Sequence, residues 1–164
     1  MKILLTFFVF ILLFGCSNFQ NKSKNSTIID CPSVYFSSEN KVYVQGDIEN
    51  IDLNQISYKA SLNNYGFLKN CTTTSIAQNY YLDLLIVVEP INPINKEVNF
   101  PLFAIIYDSK DQIIDKQFFR LRGELNYNKT TEEYEITELM SSIDIFIDPK
   151  SSVSSITLGF VKIK

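Results

Sequence analysis

Apolar and polar positions divide the chain into three stretches. Ile3 to Phe14 is apolar apart from Thr6, and a single cation, Lys2, precedes it. Ser17 to Asp30 is polar and lacks periodicity until Ile28. From Cys31 onward the dominant period is two, the spacing that puts successive side chains on opposite faces of a strand. Ile56, Tyr58, Ala60 and Leu62 alternate with Ser57, Lys59 and Ser61, which predicts a half-buried strand. Asn63-Asn64-Tyr65-Gly66 reads as the turn that ends it, and Phe67 to Thr74 as the next β-rich run. Tyr80 to Val88 is the most apolar strand, closed by Glu89-Pro90. Its predicted core face is Leu82, Leu84, Ile86 and Val88, and its other face is Tyr81, Asp83, Leu85 and Val87.

Pro101 to Tyr107 and Ile113 to Leu121 flank Asp108-Ser109-Lys110-Asp111-Gln112, the clearest hairpin in the chain. Glu132 to Leu139 fits a short helix or a strand. Ile143, Ile145 and Ile147 alternate, and Ile156, Leu158 and Phe160 mark a last strand. No segment sustains helical spacing. Seven to nine short strands with polar turns predict an all-β fold, an antiparallel β-sandwich. Ile143 to Ile147 and Ile156 to Ile163 carry few charges. Each could be a sheet edge able to accept another strand, or an internal strand.

The leading stretch has the charge-then-apolar layout of a secretory signal peptide. Twelve residues fall short of the ~20 that a helix needs to span a bilayer. Leu13-Phe14-Gly15-Cys16, directly after the apolar run, resembles the lipobox of bacterial lipoproteins. That resemblance implies cleavage before Cys16, a diacylglycerol on its thiol, and a place in the cell envelope, facing the periplasm or the surface. Residues 1–15 are then a signal peptide, 16–30 the lipidated Cys and a flexible tether, and 31–164 the domain. A tether of this length has a root-mean-square span of roughly 20 Å. Ser17 after the Cys favours an outer over an inner membrane. With Cys16 lipidated, Cys31 and Cys71 remain as a pair, and an exported location favours a disulfide between them.

Cys31-Pro32, Cys71, and Phe103 to Asp108 through Lys116-Gln117-Phe118 loosely resemble a group of small bacterial lipoproteins. Their single domain is immunoglobulin-like or fibronectin-III-like. This chain departs in having Gln112 where such hairpins place Gly, and in lacking Trp altogether. Only the sandwich is therefore implied.

Removing residues 1–15 takes away one Lys and no acid, leaving 14 cations against 18 acids, a net charge of −4, over 149 residues. That length holds one domain with a real core. An acidic chain gives no electrostatic reason to bind nucleic acid, and it is expected to have no basic patch for anionic lipid. His is absent, which removes serine-protease triads, Cys-His pairs and His-based metal sites. The glycines stand alone, so no phosphate-cradling loop and no cofactor is expected. Asp108 and Asp111 lack the acid spacing and Gly of a calcium loop and read as turn residues. Glu132, Glu133 and Glu135 read as a solvated acidic cluster. Asp83 interrupts the most apolar strand and is expected to face solvent or pair with Lys59 or Arg120. Tyr80-Tyr81 puts one ring on each face. The sequons at Asn21, Asn25, Asn70 and Asn128 reflect an Asn-rich composition.

The expected function is a non-enzymatic, membrane-anchored lipoprotein whose sandwich binds another envelope protein. It would do so through a sheet edge or a flat Tyr-bearing face. A small-ligand carrier would instead need a large apolar cavity between the sheets. A carboxylate-based hydrolase would need two acids converging in a cleft.

Cys16→Ser is expected to abolish fatty-acid labelling and to leave unprocessed precursor. Metabolic labelling with a fatty acid and the mass of the membrane-bound product check this. A mutant still cut before residue 16 and still membrane-bound would contradict it.

Overall fold

Alternation, rather than composition, organises the interior. In a computed structural model, residues 26–46 and 55–162 are described. Leu13–Cys16, which resemble a lipobox, and most of the stretch expected to be a tether lie outside them. Twelve strands and no α-helix occur among the described residues, and eight of the strands have four or more residues. In order they are β1 (Thr27–Ile28), β2 (Ser33–Phe36), β3 (Val42–Gln45), β4 (Tyr58–Phe67), β5 (Thr72–Thr73) and β6 (Gln78–Pro90). Then follow β7 (Glu97–Tyr107), β8 (Ile113–Glu124), β9 (Tyr127–Asn128), β10 (Glu133–Tyr134), β11 (Thr137–Ile147) and β12 (Ser155–Phe160).

The strands form the two layers of a sandwich. Sheet one centres on β6, which pairs with β4 and then β5 along one edge and with β11 along the other. β3 extends this sheet beyond β4, and β1 extends it beyond β5. Sheet two runs β2-β12-β7-β8, antiparallel except for the parallel β2–β12 pair. The meander β3-β4-β6 departs from the ABED/CFG wiring of constant-type immunoglobulin domains.

The predicted core face of β6 is observed: Leu82, Leu84, Ile86 and Val88 have no exposed surface. Opposite them lie Phe100, Leu102, Ala104 and Ile106 of β7 and Ile156, Leu158 and Phe160 of β12, equally buried. Truncating one such Leu to Ala costs on the order of 2–5 kcal/mol. Aromatic rings fill the space between the layers. Phe100 meets Tyr58 edge-on at 5.7 Å and Tyr43 at 6.3 Å, and Phe160 lies 5.7 Å from Tyr43. The Tyr58 hydroxyl donates to the Asn99 carbonyl at 2.8 Å and accepts from the Asn99 N–H at 3.0 Å, tying sheet one to sheet two. Burial raises the pKa of Tyr58 and of Tyr43, so both phenols stay neutral.

Several local expectations change. Asn63 to Gly66 is no turn: β4 continues through it, with a register shift between Leu62 and Asn64. One extra residue in a bulge lets the strand stay paired to β6. Phe67 to Thr74 is not one strand, and only Thr72–Thr73 pairs, as β5. Thr27–Ile28, expected in the tether, is paired with β5. Of the two readings open for Glu132 to Leu139, the strand is observed: the segment holds β10 and the start of β11, after a tight turn in which Glu132 has φ 58°.

Both sides of the sandwich are bridged. On one, the Phe160 N–H donates to the Asn40 carbonyl at 2.7 Å, and the Asn40 amide donates back to the Phe160 carbonyl at 3.1 Å. The Leu62 N–H reaches the Lys41 carbonyl at 2.9 Å, so one connection touches both sheets. On the other side, Gln117 of β8 donates to the Phe146 carbonyl of β11 at 2.8 Å. There Gly123 leaves room for Leu139, which a β-carbon would overlap. β12, an edge candidate from sequence, is internal between β2 and β7, whereas β11 pairs with β6 alone.

Cys31 and Cys71 form a disulfide with a Cα separation of 5.3 Å. It closes a loop across 40 positions, and chain-entropy arguments give about 4 kcal/mol for a loop of that size. Cys31→Ser with Cys71→Ser is expected to lower the unfolding free energy by roughly 2–4 kcal/mol. Urea unfolding with and without dithiothreitol checks it, and reduction should bring the native chain to the double variant's midpoint.

Candidate functional site

The polar residues singled out along the chain separate once folded. Tyr80 points inward and Tyr81 outward. The Tyr80 hydroxyl donates to the side-chain oxygen of Gln78, and burial pushes its pKa up to about 12. The Gln78 amide donates to the Ser151 carbonyl at 2.5 Å and the Pro149 carbonyl at 3.2 Å. This buried pair holds the β11–β12 connection; it is structural. Asp83 accepts from the Ser142 hydroxyl at 2.6 Å rather than pairing with Lys59 or Arg120. Lys59 instead sits 3.4 Å from Glu89, and Arg120 lies on the other sheet.

The acids do not converge. Glu132 and Glu133 are exposed on the β9–β10 hairpin, and Glu135 just past it accepts from the Asn128 amide at 2.6 Å. Asp108 closes the β7–β8 turn: its carboxylate accepts from the N–H of Lys110 at 2.8 Å and of Gln112 at 2.9 Å. The left-handed position of this turn is Asp111, with φ 58°, not Gln112. Asp is tolerated there better than most side chains, which explains how the hairpin closes without Gly. Among the described residues no three His, Cys, Asp or Glu side chains group as metal donors.

What remains accessible is the two outer faces. On sheet one, Leu85, Met140 and Leu68 surround Asp83 in a shallow depression of ≈ 450 Å³. Tyr65 and Phe67 border it but lie opposite Leu84 and Leu82, and the Tyr65 ring meets Phe36 edge-on at 6.0 Å on the inner side. Met140 lies opposite Leu85, and Ser142 opposite Asp83, across β11 and β6. Gly66 faces Asp83 from β4 with open space above it. Further along, Lys69 sits 3.5 Å above the Tyr81 ring, and Phe146 meets Tyr81 edge-on at 6.3 Å. Glu138 and Asp144 stand exposed on the same face. The face is aromatic, apolar and acidic.

The outer face of sheet two has the opposite charge. Lys116, Phe118, Arg120 and Arg122 alternate along β8 and are exposed. Phe103 pairs with Phe118, Ile105 with Lys116, and Pro101 with Arg120. Thr157 joins Ile105 to Tyr35, and Gly159 lies opposite Phe103. A β-carbon at Gly159 would come within 2.6 Å of the Phe103 ring, so Gly lets that ring lie against the sheet. At the far end Glu97 and Glu124 close the face, with Lys96 2.9 Å from Glu124. The expectation of no basic patch is thus overturned: pairing of β8 with β7 gathers Lys116, Arg120 and Arg122 on one folded face. Reading residues 116–122 at period two, instead of as a run, would have found it.

No protein-family model, curated protein or solved structure matches the chain.

The two turn hydrogen bonds favour ionised Asp108 and lower its pKa. Its stabilising effect is thus present above the unfolded carboxylate value, ~3.9, and is lost as pH falls through the lower folded value. Asp108→Asn is expected to reduce thermal stability at neutral pH, with the gap closing in strong acid. Paired melting curves across that range check it, and an unchanged gap would contradict it.

Proposed function

We propose that the chain is a lipid-anchored lipoprotein of the cell envelope that acts without catalysis, binding another envelope protein through the outer face of sheet one. The observation that carries this reading is Asp83 set among Leu85, Met140 and Leu68 on an open face that also bears Tyr81 and Phe146. Met and aromatic side chains are enriched where proteins bind one another. An acid at the centre of an apolar surround suits a partner that presents Lys or Arg between apolar residues. Packed aromatic rings occupy the space between the sheets, and the acids lie on separate turns and faces. Both facts favour binding over carriage of a small ligand or carboxylate hydrolysis.

The lipobox supports the anchor, and Ser17 favours the outer membrane. The likeness to small lipoproteins with an immunoglobulin-like domain agrees at the level of a sandwich, while the strand order here is its own.

A photoreactive residue replacing Met140 is expected to give one discrete protein adduct in intact cells. The same residue at exposed Lys150, in the β11–β12 turn, should give none. Leu85→Asp should weaken the adduct roughly tenfold or more, as for a central contact. Asp83→Asn should weaken it most at low salt. Equal, diffuse labelling at both positions would overturn the reading.

A further inference from the structure

We propose that the outer face of sheet two rests on the anionic surface of the bilayer that anchors the chain, leaving the face around Asp83 turned away from the membrane. The inference rests on the lipid-anchored reading and adds an orientation to it.

Charge comes first. From Tyr35 across to Lys116, and along β8 to Arg122, the face carries Lys116, Arg120 and Arg122 and no acid. None of the three cations forms an ion pair among the described residues, whereas Lys59 and Lys96 do. Asp115, the nearest acid on β8, is bonded to Gln117, which reaches toward β11 and away from this face. The Glu97–Glu124 row bounds the face, and Lys96 offsets one of those acids. Sheet one presents Asp83, Glu89, Glu138 and Asp144 against Lys59 and Lys69, a net acidic face that an anionic leaflet repels.

Shape and side-chain type agree. Phe118 is 70% exposed and Tyr35 58% exposed. Phe118 stands between Lys116 and Arg120 on β8, and Tyr35 shares their face. Aromatic rings flanked by Lys and Arg are favoured at the headgroup level of a bilayer. Lys116 to Arg122 covers six steps of strand, roughly 20 Å at strand rise. That makes a continuous stripe along one strand face.

The chain path supplies the third argument. The described chain begins at Ser26, ten residues after Cys16. Ten residues reach at most about 35 Å. They lead through β1 to β2, the edge strand of sheet two, and β2 itself places Tyr35 on the basic face. The anchoring leaflet is thus within reach of this face, and tethering makes docking effectively intramolecular. Each cation held at an anionic leaflet raises the docked fraction relative to the undocked about fivefold.

The chain has no Trp, so Phe118→Trp places one reporter on the basic face and Met140→Trp places one on the opposite face. The full-length, membrane-extracted chain is reconstituted into vesicles of phosphatidylcholine alone, or of phosphatidylcholine with phosphatidylglycerol, each with or without brominated acyl chains. Emission from the Phe118→Trp variant should shift to the blue and be quenched by bromine only where phosphatidylglycerol is present. High salt should reverse the effect. Adding Lys116→Glu and Arg120→Glu to that variant should reduce docking roughly tenfold or more. Emission from the Met140→Trp variant should stay solvent-like throughout. A Phe118→Trp reporter that stays solvent-like on phosphatidylglycerol vesicles while the chain floats with them overturns the proposal, and the face would then be one for a protein. Failure of the lipid anchor shows separately, as a chain that does not float with phosphatidylcholine vesicles. Quenching of the Phe118→Trp variant on phosphatidylglycerol then still decides the docking face.

Discussion

The strand β6 carries the constraint on which the rest of the molecule depends. It is paired along both edges, and its alternate residues Tyr80 to Val88 have almost no exposed surface. A strand held on both sides cannot slip by one residue without moving this whole apolar row to the solvent face. Register on β6 therefore sets which residues of β4 and β11 point in and which point out. Asp83, Leu85 and Tyr81 are outward because Leu82, Leu84 and Ile86 must be inward. The candidate binding face is, in this sense, the complement of the core.

The same parity rule operates on sheet two and gives the two faces opposite charge. Leu121 and Phe119 of β8 turn toward the interior or the β11 side, so Lys116, Phe118, Arg120 and Arg122 collect outside. A chain with a net negative charge thus presents one locally basic face. Net charge speaks to the whole field around a protein, but docking responds to the nearest surface within a Debye length, about 10 Å. On the lipid-anchored reading proposed above, unlike faces would give the domain a preferred way up.

Two long strands, β8 and β11, each pair on one side only, and hydrogen bonds bridge the corners. Asn40 links the β2–β3 connection to β12, and Gln117 links β8 to β11. Short β2 and β3 leave little backbone to pair with. The broad outer faces are the other surfaces open to a partner or a membrane. The Tyr58 hydroxyl on the Asn99 backbone and the Cys31–Cys71 disulfide hold the layers and the domain's entry in place.

The chain by itself determined what depends on near neighbours. Period two along Tyr80 to Val88, the Asp108 to Gln112 hairpin and the pairing of the two remaining cysteines were all legible. Burial on alternate positions, turn chemistry and cysteine number act locally or by count. What long-range pairing decides was not legible. Asn63 to Gly66 looks like a turn, yet pairing with β6 stretches it into a bulged strand. Ile156 to Phe160 looks like an edge, yet lies between β2 and β7. Asp83 faces outward, as one of its two expected placements had it, but its partner Ser142, 59 positions away, was not legible. The basic face exists only because β8 lies flat beside β7, with Tyr35 brought to the same surface by β12. Side-chain alternation is a property of one strand, but which strands lie side by side is a property of the packed sandwich alone.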